Sequence, residues 1–153
     1  MHSEALDTLK NEILPLSFLL TPNIPEAETI TGLRIQTVDD MKTAAKLIYD
    51  MGAKNVLIKG GHLEGDAIDV LFDGTRFYTF SNQRIDTKNT HGTGCTLSSA
   101  ITANLANGSS VSEAVKEAKA YVTRAIQYAF TLGKGHGPTN HFYEFYQMKG
   151  INK

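Results

Sequence analysis

Asn89-Thr90-His91-Gly92-Thr93-Gly94-Cys95-Thr96 stands where an extended stretch gives way to a helical pattern. Two glycines let the backbone approach a ligand closely, and the unpaired amides of a helix start, aligned with its dipole, favour an anion such as phosphate. The same setting favours a thiolate at Cys95, so one segment offers both an anion hole and a proton acceptor. A plainer reading makes Gly92 and Gly94 a turn and Cys95 a small buried hydrophobe. The segment is not a P-loop, since no Gly-Lys-Ser/Thr follows at the required spacing. It is not a dinucleotide fingerprint either, since Leu97 holds the place of the third glycine.

Working outward, a strand-like run over 84–88 leads into this segment, and a helix follows it to about Asn107, closed by Gly108. Upstream, Asp73-Gly74-Thr75 separates 67–72 from 76–80, which predicts an antiparallel hairpin. The apolar runs 17–21 and 55–59 read as short strands buried on both faces, and the helical crossover between them predicts a parallel pair. That crossover holds a short helix from Pro25 to Gly32. A longer helix opened by Thr37 follows, with Met41, Ala44, Ala45 and Ile48 on one face and Gly52 at its end. Ser3 can cap a first helix on Leu6, Leu9 and Ile13 that Pro15 stops. Downstream, Ser110 and Glu113 have capping-box spacing ahead of Val115, Ala118, Val122 and Ile126, and the chain from Leu132 on reads as irregular. With no repeat or linker, residues 1–153 are expected to form a single α/β unit.

The 153 residues carry 15 basic and 16 acidic side chains and a formal charge of −1, with no block of like charge to serve as a footprint for nucleic acid or anionic lipid. Cys95 is the only cysteine, which excludes an internal disulfide and points to a reducing, cytoplasmic compartment. The longest apolar run, 14–20, is broken by Pro15 and Ser17 and is far shorter than the roughly 20 residues of a membrane helix. Met1-His2-Ser3-Glu4 has no signal-peptide character. Asn107-Gly108-Ser109 is formally a glycosylation sequon, but in this setting it is a helix-ending Asn-Gly pair.

Four runs in order carry a resemblance: Thr21-Pro22-Asn23-Ile24-Pro25-Glu26-Ala27, Ile58-Lys59-Gly60-Gly61-His62, Ile68-Asp69-Val70-Leu71-Phe72-Asp73-Gly74 and Thr90-His91-Gly92-Thr93-Gly94-Cys95-Thr96. They resemble successive signatures of the hydroxymethylpyrimidine/phosphomethylpyrimidine kinases of the ribokinase-like superfamily. The ending Gly133-Lys134-Gly135-His136-Gly137-Pro138 and Asn140-His141-Phe142 is similar to that family's as well. The resemblance implies the C-terminal half of a three-layer α/β/α fold, with parallel strands and an antiparallel edge hairpin. Nothing here corresponds to the N-terminal portion that supplies several central strands and the acceptor-binding loops. Apolar sheet edges are therefore expected to need cover, from a second copy or from the missing half.

By resemblance, Asn23 and Glu26 form an Asn-x-x-Glu motif that places Mg²⁺ and the nucleotide phosphates. Read from the residues alone, Asn23 is a helix cap and Glu26 a first-turn carboxylate. Lys59 is expected to reach a phosphate, the alternative being a lysine snorkelling from a strand end. Asp69 and Lys119 match nucleotide-binding positions of related kinases, although on sequence alone each reads as a surface charge. Gly92, Thr93, Gly94 and Cys95 match the catalytic loop, with Cys95 as base where many sugar kinases carry aspartate. His91, His136 and His141 lack metal-ligand spacing and read as turn, packing or nucleotide-proximal residues. The implied activity is transfer of the ATP γ-phosphoryl group to 4-amino-5-hydroxymethyl-2-methylpyrimidine and its monophosphate in thiamine biosynthesis. The truncated chain is expected to be inactive alone. Pyridoxal kinase and a non-catalytic nucleotide- or partner-binding remnant are the alternatives, and His62 with the Gly135–Pro138 ending favours the pyrimidine.

Overall fold

The computed structural model describes residues 3–61 and 65–151, so His62 lies outside the described residues. The chain divides into two compact units, Met1–Arg84 and Ile85–Lys153. Among the described residues no helix is long and apolar enough to cross a membrane.

The first unit is a three-stranded antiparallel sheet with helices packed on it. Its strands β1 (Val56–Lys59), β2 (Ala67–Phe72) and β3 (Phe77–Asn82) follow one another in space as in sequence. Val56 faces Phe72 and Lys59 faces Asp69 across the first pair, and Phe72 faces Phe77 across the second. The predicted hairpin turn is present. Gly74 adopts a left-handed φ of 88°, and Asp73 Oδ1 accepts the amides of Thr75 and Arg76, both at 2.8 Å.

Helices α1 (Ser3–Thr8), α2 (Ile24–Thr31) and α3 (Val38–Asp50) complete this unit. In α3 the apolar face predicted from periodicity is fully buried at Met41, Ala44, Ala45 and Ile48. It joins Val56, Ile58, Val70 and Phe72 in one core, while Leu57 and Leu71, turned to the opposite sheet face by the strand's alternation, are also fully buried. Thr37 and Asp40 form a reciprocal capping box. The amides of Gln36 and Thr37 and the Thr37 hydroxyl hold the Asp40 carboxyl below the usual aspartate range. Gly32 ends α2 in the left-handed conformation, as its sequence position suggests.

Two expectations need correction here. The first helix does not stop at Pro15. After α1 the chain widens into a π-helical turn over Leu9–Ile13, with the Leu14 amide bonded to Leu9, and then tightens through a 3₁₀ turn, Leu14–Leu16, that accommodates the proline. Widening moves the buried position from Ile13, which is 48% exposed, to Leu14, which is fully buried. The run 17–21 is not a regular strand buried on both faces, and Phe18 is 52% exposed. The parallel relation to β1 is nonetheless real: Leu20 pairs with Val56 and Asn23 with Lys59, through bonds of 2.8–3.0 Å that also use the Pro22 carbonyl. Pro22 has no N–H to continue a ladder, which explains why the pairing is interrupted.

Gly60, just after β1, is sterically required. A Cβ there would stand 1.8 Å from the carbonyl oxygen of Ile68, whereas at Gly61 it would meet nothing within 4 Å. Gly60→Ala is therefore expected to lower stability by at least the roughly 1–3 kcal/mol typical of overpacking. Gly61→Ala should be close to neutral. Urea midpoints of the two variants check this.

The second unit pairs α4 (Thr93–Ala106) with α5 (Val111–Gln127) through Leu97, Ile101, Val115, Ala118 and Val122. Ser110 and Glu113 make the predicted capping box, and Gly108, with φ 92°, follows the Asn107 end of α4. Ile126, expected on the apolar face of α5, is only half-buried; Ala125 is buried in its place. The strand expected over 84–88 is absent. The ending is mostly irregular, as expected, but contains a short helix, α6 (Tyr143–Met148), too brief to show a period. It is tied to α5 by an Arg124–Glu144 ion pair at 2.6 Å.

Candidate active site

In the second unit the quoted segment forms the N-terminus of α4. Gly92 is the N-cap, with a left-handed φ of 83° that favours glycine, and no side chain caps the helix. Its carbonyl accepts the amide of Thr96 at 2.9 Å and the Thr96 hydroxyl at 2.8 Å, closing the first turn. By helix geometry the amides of Gly94 and Cys95 have no intrahelical acceptor. A Cβ at either Gly92 or Gly94 would meet nothing within 4 Å, so the approach to those amides is open. Cys95 is exposed, which removes the reading of it as a small buried hydrophobe. It borders an open groove of about 650 Å³ lined also by Thr96, Ser99, Tyr121, Arg124 and His141.

Asn89 and Gly137 stand within the stretches quoted from the sequence but were given no role there, yet they shape this loop. The Asn89 side chain is buried; its Oδ1 accepts the Gly137 amide at 3.1 Å and its Nδ2 donates to Thr131 Oγ1 at 3.3 Å. Gly137 leaves no room for a Cβ, which would come within 2.3 Å of Asn89 Oδ1. His91 and Pro138 pair in parallel, and His136 Nδ1 lies 2.9 Å from the Lys88 carbonyl. The C-terminal Gly-His-Gly-Pro thus buttresses the approach to Gly92. The signal available in sequence was only the co-occurrence of the two glycine-rich stretches.

The first unit brings Asn23, Glu26 and Lys59 to one end of β1. Asn23 caps α2: its Oδ1 accepts the Glu26 amide at 2.9 Å, and Glu26 Oε2 accepts the Asn23 amide at 2.8 Å. Both residue-level readings, cap and first-turn carboxylate, are therefore correct as structure. Lys59 is half-buried, with its Nζ on the Thr21 carbonyl at 2.5 Å, so it is not a solvated lysine. Asp69 and Lys119 are not surface charges: they are 7% and 8% exposed. Asp69 Oδ1 accepts the Gly60 amide at 3.0 Å.

Among the described residues no three His, Cys, Asp or Glu side chains cluster as a metal site. The donor set nevertheless suits Mg²⁺, which is usually held by one or two carboxylates and the substrate's phosphates. Glu26 is exposed and its Oε1 has no protein partner among the described residues.

The model of the phosphomethylpyrimidine kinase family matches residues 1–140. The chain is 53% identical over 138 residues to the thiamine biosynthesis bifunctional protein ThiED of Geobacter sulfurreducens, covering 90% of this chain and 28% of that protein. It is 46% identical over 144 residues to the hydroxymethylpyrimidine/phosphomethylpyrimidine kinase of Bacillus subtilis, covering 93% of this chain and 53% of the relative. The structure of an ADP complex of Bacillus subtilis pyridoxal kinase superposes with a TM-score of 0.89 at 42% identity, over 95% of this chain and 57% of that one. The chain therefore spans about half the length of the single-function kinases it matches, and less of the bifunctional protein.

Proposed function

The chain belongs to the phosphomethylpyrimidine kinase family, and on that premise we propose that it supplies the nucleotide-handling half of an ATP-dependent kinase. The acceptors are 4-amino-5-hydroxymethyl-2-methylpyrimidine and its monophosphate, in thiamine biosynthesis. The observation that carries this reading is the uncapped start of α4, where Gly92 and Gly94 leave the amides open beside an exposed Cys95.

Phosphoryl transfer needs little covalent help from a protein beyond positioning and charge stabilisation. The Gly94 and Cys95 amides, with the α4 dipole, receive the oxygens of the transferring phosphoryl group. Cys95 Sγ takes the proton of the acceptor hydroxyl as that oxygen forms its bond to the γ-phosphorus and the bond to ADP breaks. In the first unit Lys59 serves the nucleotide phosphates, Asn23 helps place them, and Glu26 would hold Mg²⁺, which would offset negative charge on those phosphates. Asp69 in the first unit and Lys119 in the second each serve nucleotide binding. The outer edge of segment 17–22 pairs with a complementary half of the fold or with a second copy.

The similarity to a pyridoxal kinase structure favours a second acceptor of related chemistry, the hydroxymethylated pyridine ring. A titration with ATP and a coupled assay on both acceptors, run on an intact enzyme carrying this half, separates the readings. Turnover confined to pyridoxal selects the second, and nucleotide binding without turnover on either selects a binding remnant.

Gly94→Val tests the anion hole. A Cβ at Gly94 meets nothing within 4 Å, so the fold should tolerate the substitution, and the thermal midpoint is measured alongside. The amide itself is kept, but the branched side chain obstructs the approach of a phosphate to it, which should raise the Kd for ATP by about tenfold or more. Unchanged affinity by calorimetry would count against phosphate binding there.

A further inference from the structure

We propose that Arg84 is a positioning residue for Lys59, an inference that rests on the phosphate role proposed for that lysine. The case begins with Gly60 and Gly61. The carbonyl of Ile68 forbids any side chain at Gly60, so the chain carries two consecutive glycines directly after Lys59. Glycine loses more conformational freedom on folding than any other residue, so this turn is held only as well as its hydrogen bonds hold it.

Two side chains supply such bonds. Asp69 Oδ1 takes the Gly60 amide at 3.0 Å. Arg84, just beyond β3, donates from Nη1 to the Gly61 carbonyl at 2.8 Å and from Nε to the Gly65 carbonyl at 3.0 Å. The guanidinium is a planar fork whose donors have fixed separation and direction, so engaging two carbonyls fixes them relative to each other as well as to the hairpin stem. An ammonium offers no such fork. Lys59 is anchored upstream by its amide on the Pro22 carbonyl, and its Nζ rests on the Thr21 carbonyl. Its backbone also sits in the β1–β2 ladder opposite Asp69, so the turn that follows it is where the chain leaves that ladder and where Arg84 adds hold. Arg84 is exposed, so removing it leaves no cavity in the core.

The test is a double-mutant cycle on the 153-residue chain, with ATP as titrant. Arg84→Ala should raise the Kd for ATP about five- to tenfold when Lys59 is present and less than about twofold in a Lys59→Met background, because the two substitutions remove one shared contribution. Arg84→Lys should recover only part of the loss. Equal losses in both backgrounds, or full recovery with lysine, would overturn the proposal. Amide exchange in the nucleotide-free chain gives a second readout. The Gly60 and Gly61 amides should exchange about tenfold faster in Arg84→Ala while the α3 amides are unchanged, and unaltered exchange at the glycines sinks the idea. If the parent chain binds no ATP, it is the nucleotide reading that fails, and the exchange rates still decide whether Arg84 fixes the turn that carries Lys59.

Discussion

Replacing Cys95 with alanine in an intact kinase containing this half is expected to lower kcat for the hydroxymethyl acceptor by about 10²–10⁴, the usual contribution of a general base. The Kd for ATP should change little. The substitution is clean because Cys95 is exposed on the first turn of α4, so alanine leaves no cavity and preserves the backbone amides proposed to receive the phosphate. The effect should also depend on the acceptor. A hydroxymethyl group must lose a proton before its oxygen can attack, whereas the monophosphate attacks through an oxygen already ionised, so the second phosphorylation should suffer much less. Single-turnover rates on both acceptors check this. Near-normal turnover of Cys95→Ala on the hydroxymethyl compound would remove Cys95 from the mechanism, and equal losses on both acceptors would point to damaged phosphate binding instead.

What could be read from the sequence follows how local the causes are. The capping boxes at Asn23, Thr37 and Ser110 and the Asp73-Gly74 turn are set by residues within three positions of one another, and all are present. The helical period of α3 sufficed because one face meets one sheet. Failures came where a distant partner decides the outcome. Segment 17–22 is extended only because β1 supplies its hydrogen bonds, and Pro22 breaks what would otherwise be a ladder. Burial of Asp69 follows from a bond to Gly60, nine residues away across a strand pair. Asn89 acquires its place from Gly137, 48 residues later. The candidate site divides the same way. The glycines and Cys95 were visible as a strand-to-helix junction, while Arg84 carries no local signal because the Gly61 and Gly65 carbonyls it donates to belong to another loop.

The 153-residue chain by itself is expected to show no more than background kinase activity on either the pyrimidine or pyridoxal, and to self-associate. Asn23, Glu26, Lys59 and the Gly92–Cys95 loop are suited to phosphates, but no residue here resembles the family's acceptor-binding loops, and the chain spans 53% of the Bacillus subtilis kinase. Binding ATP is not sufficient. The acceptor oxygen must be held near the γ-phosphorus in line with the leaving group, and such placement can supply roughly 7–11 kcal/mol of the barrier reduction. Forfeiting even about 4 kcal/mol of it slows the reaction roughly a thousandfold. Self-association has a separate cause on the outer side of residues 16–22. Leu16 is 82% and Phe18 52% exposed there, and the Leu19 backbone has no hydrogen-bond partner among the described residues. An apolar, unpaired edge of that kind recruits another chain. Phe18→Lys should therefore shift the sedimentation profile towards monomer without restoring activity. A chain that sediments as a monomer and phosphorylates hydroxymethylpyrimidine at the rate of a full-length kinase would overturn both expectations, since it would need an acceptor site built entirely from the residues present.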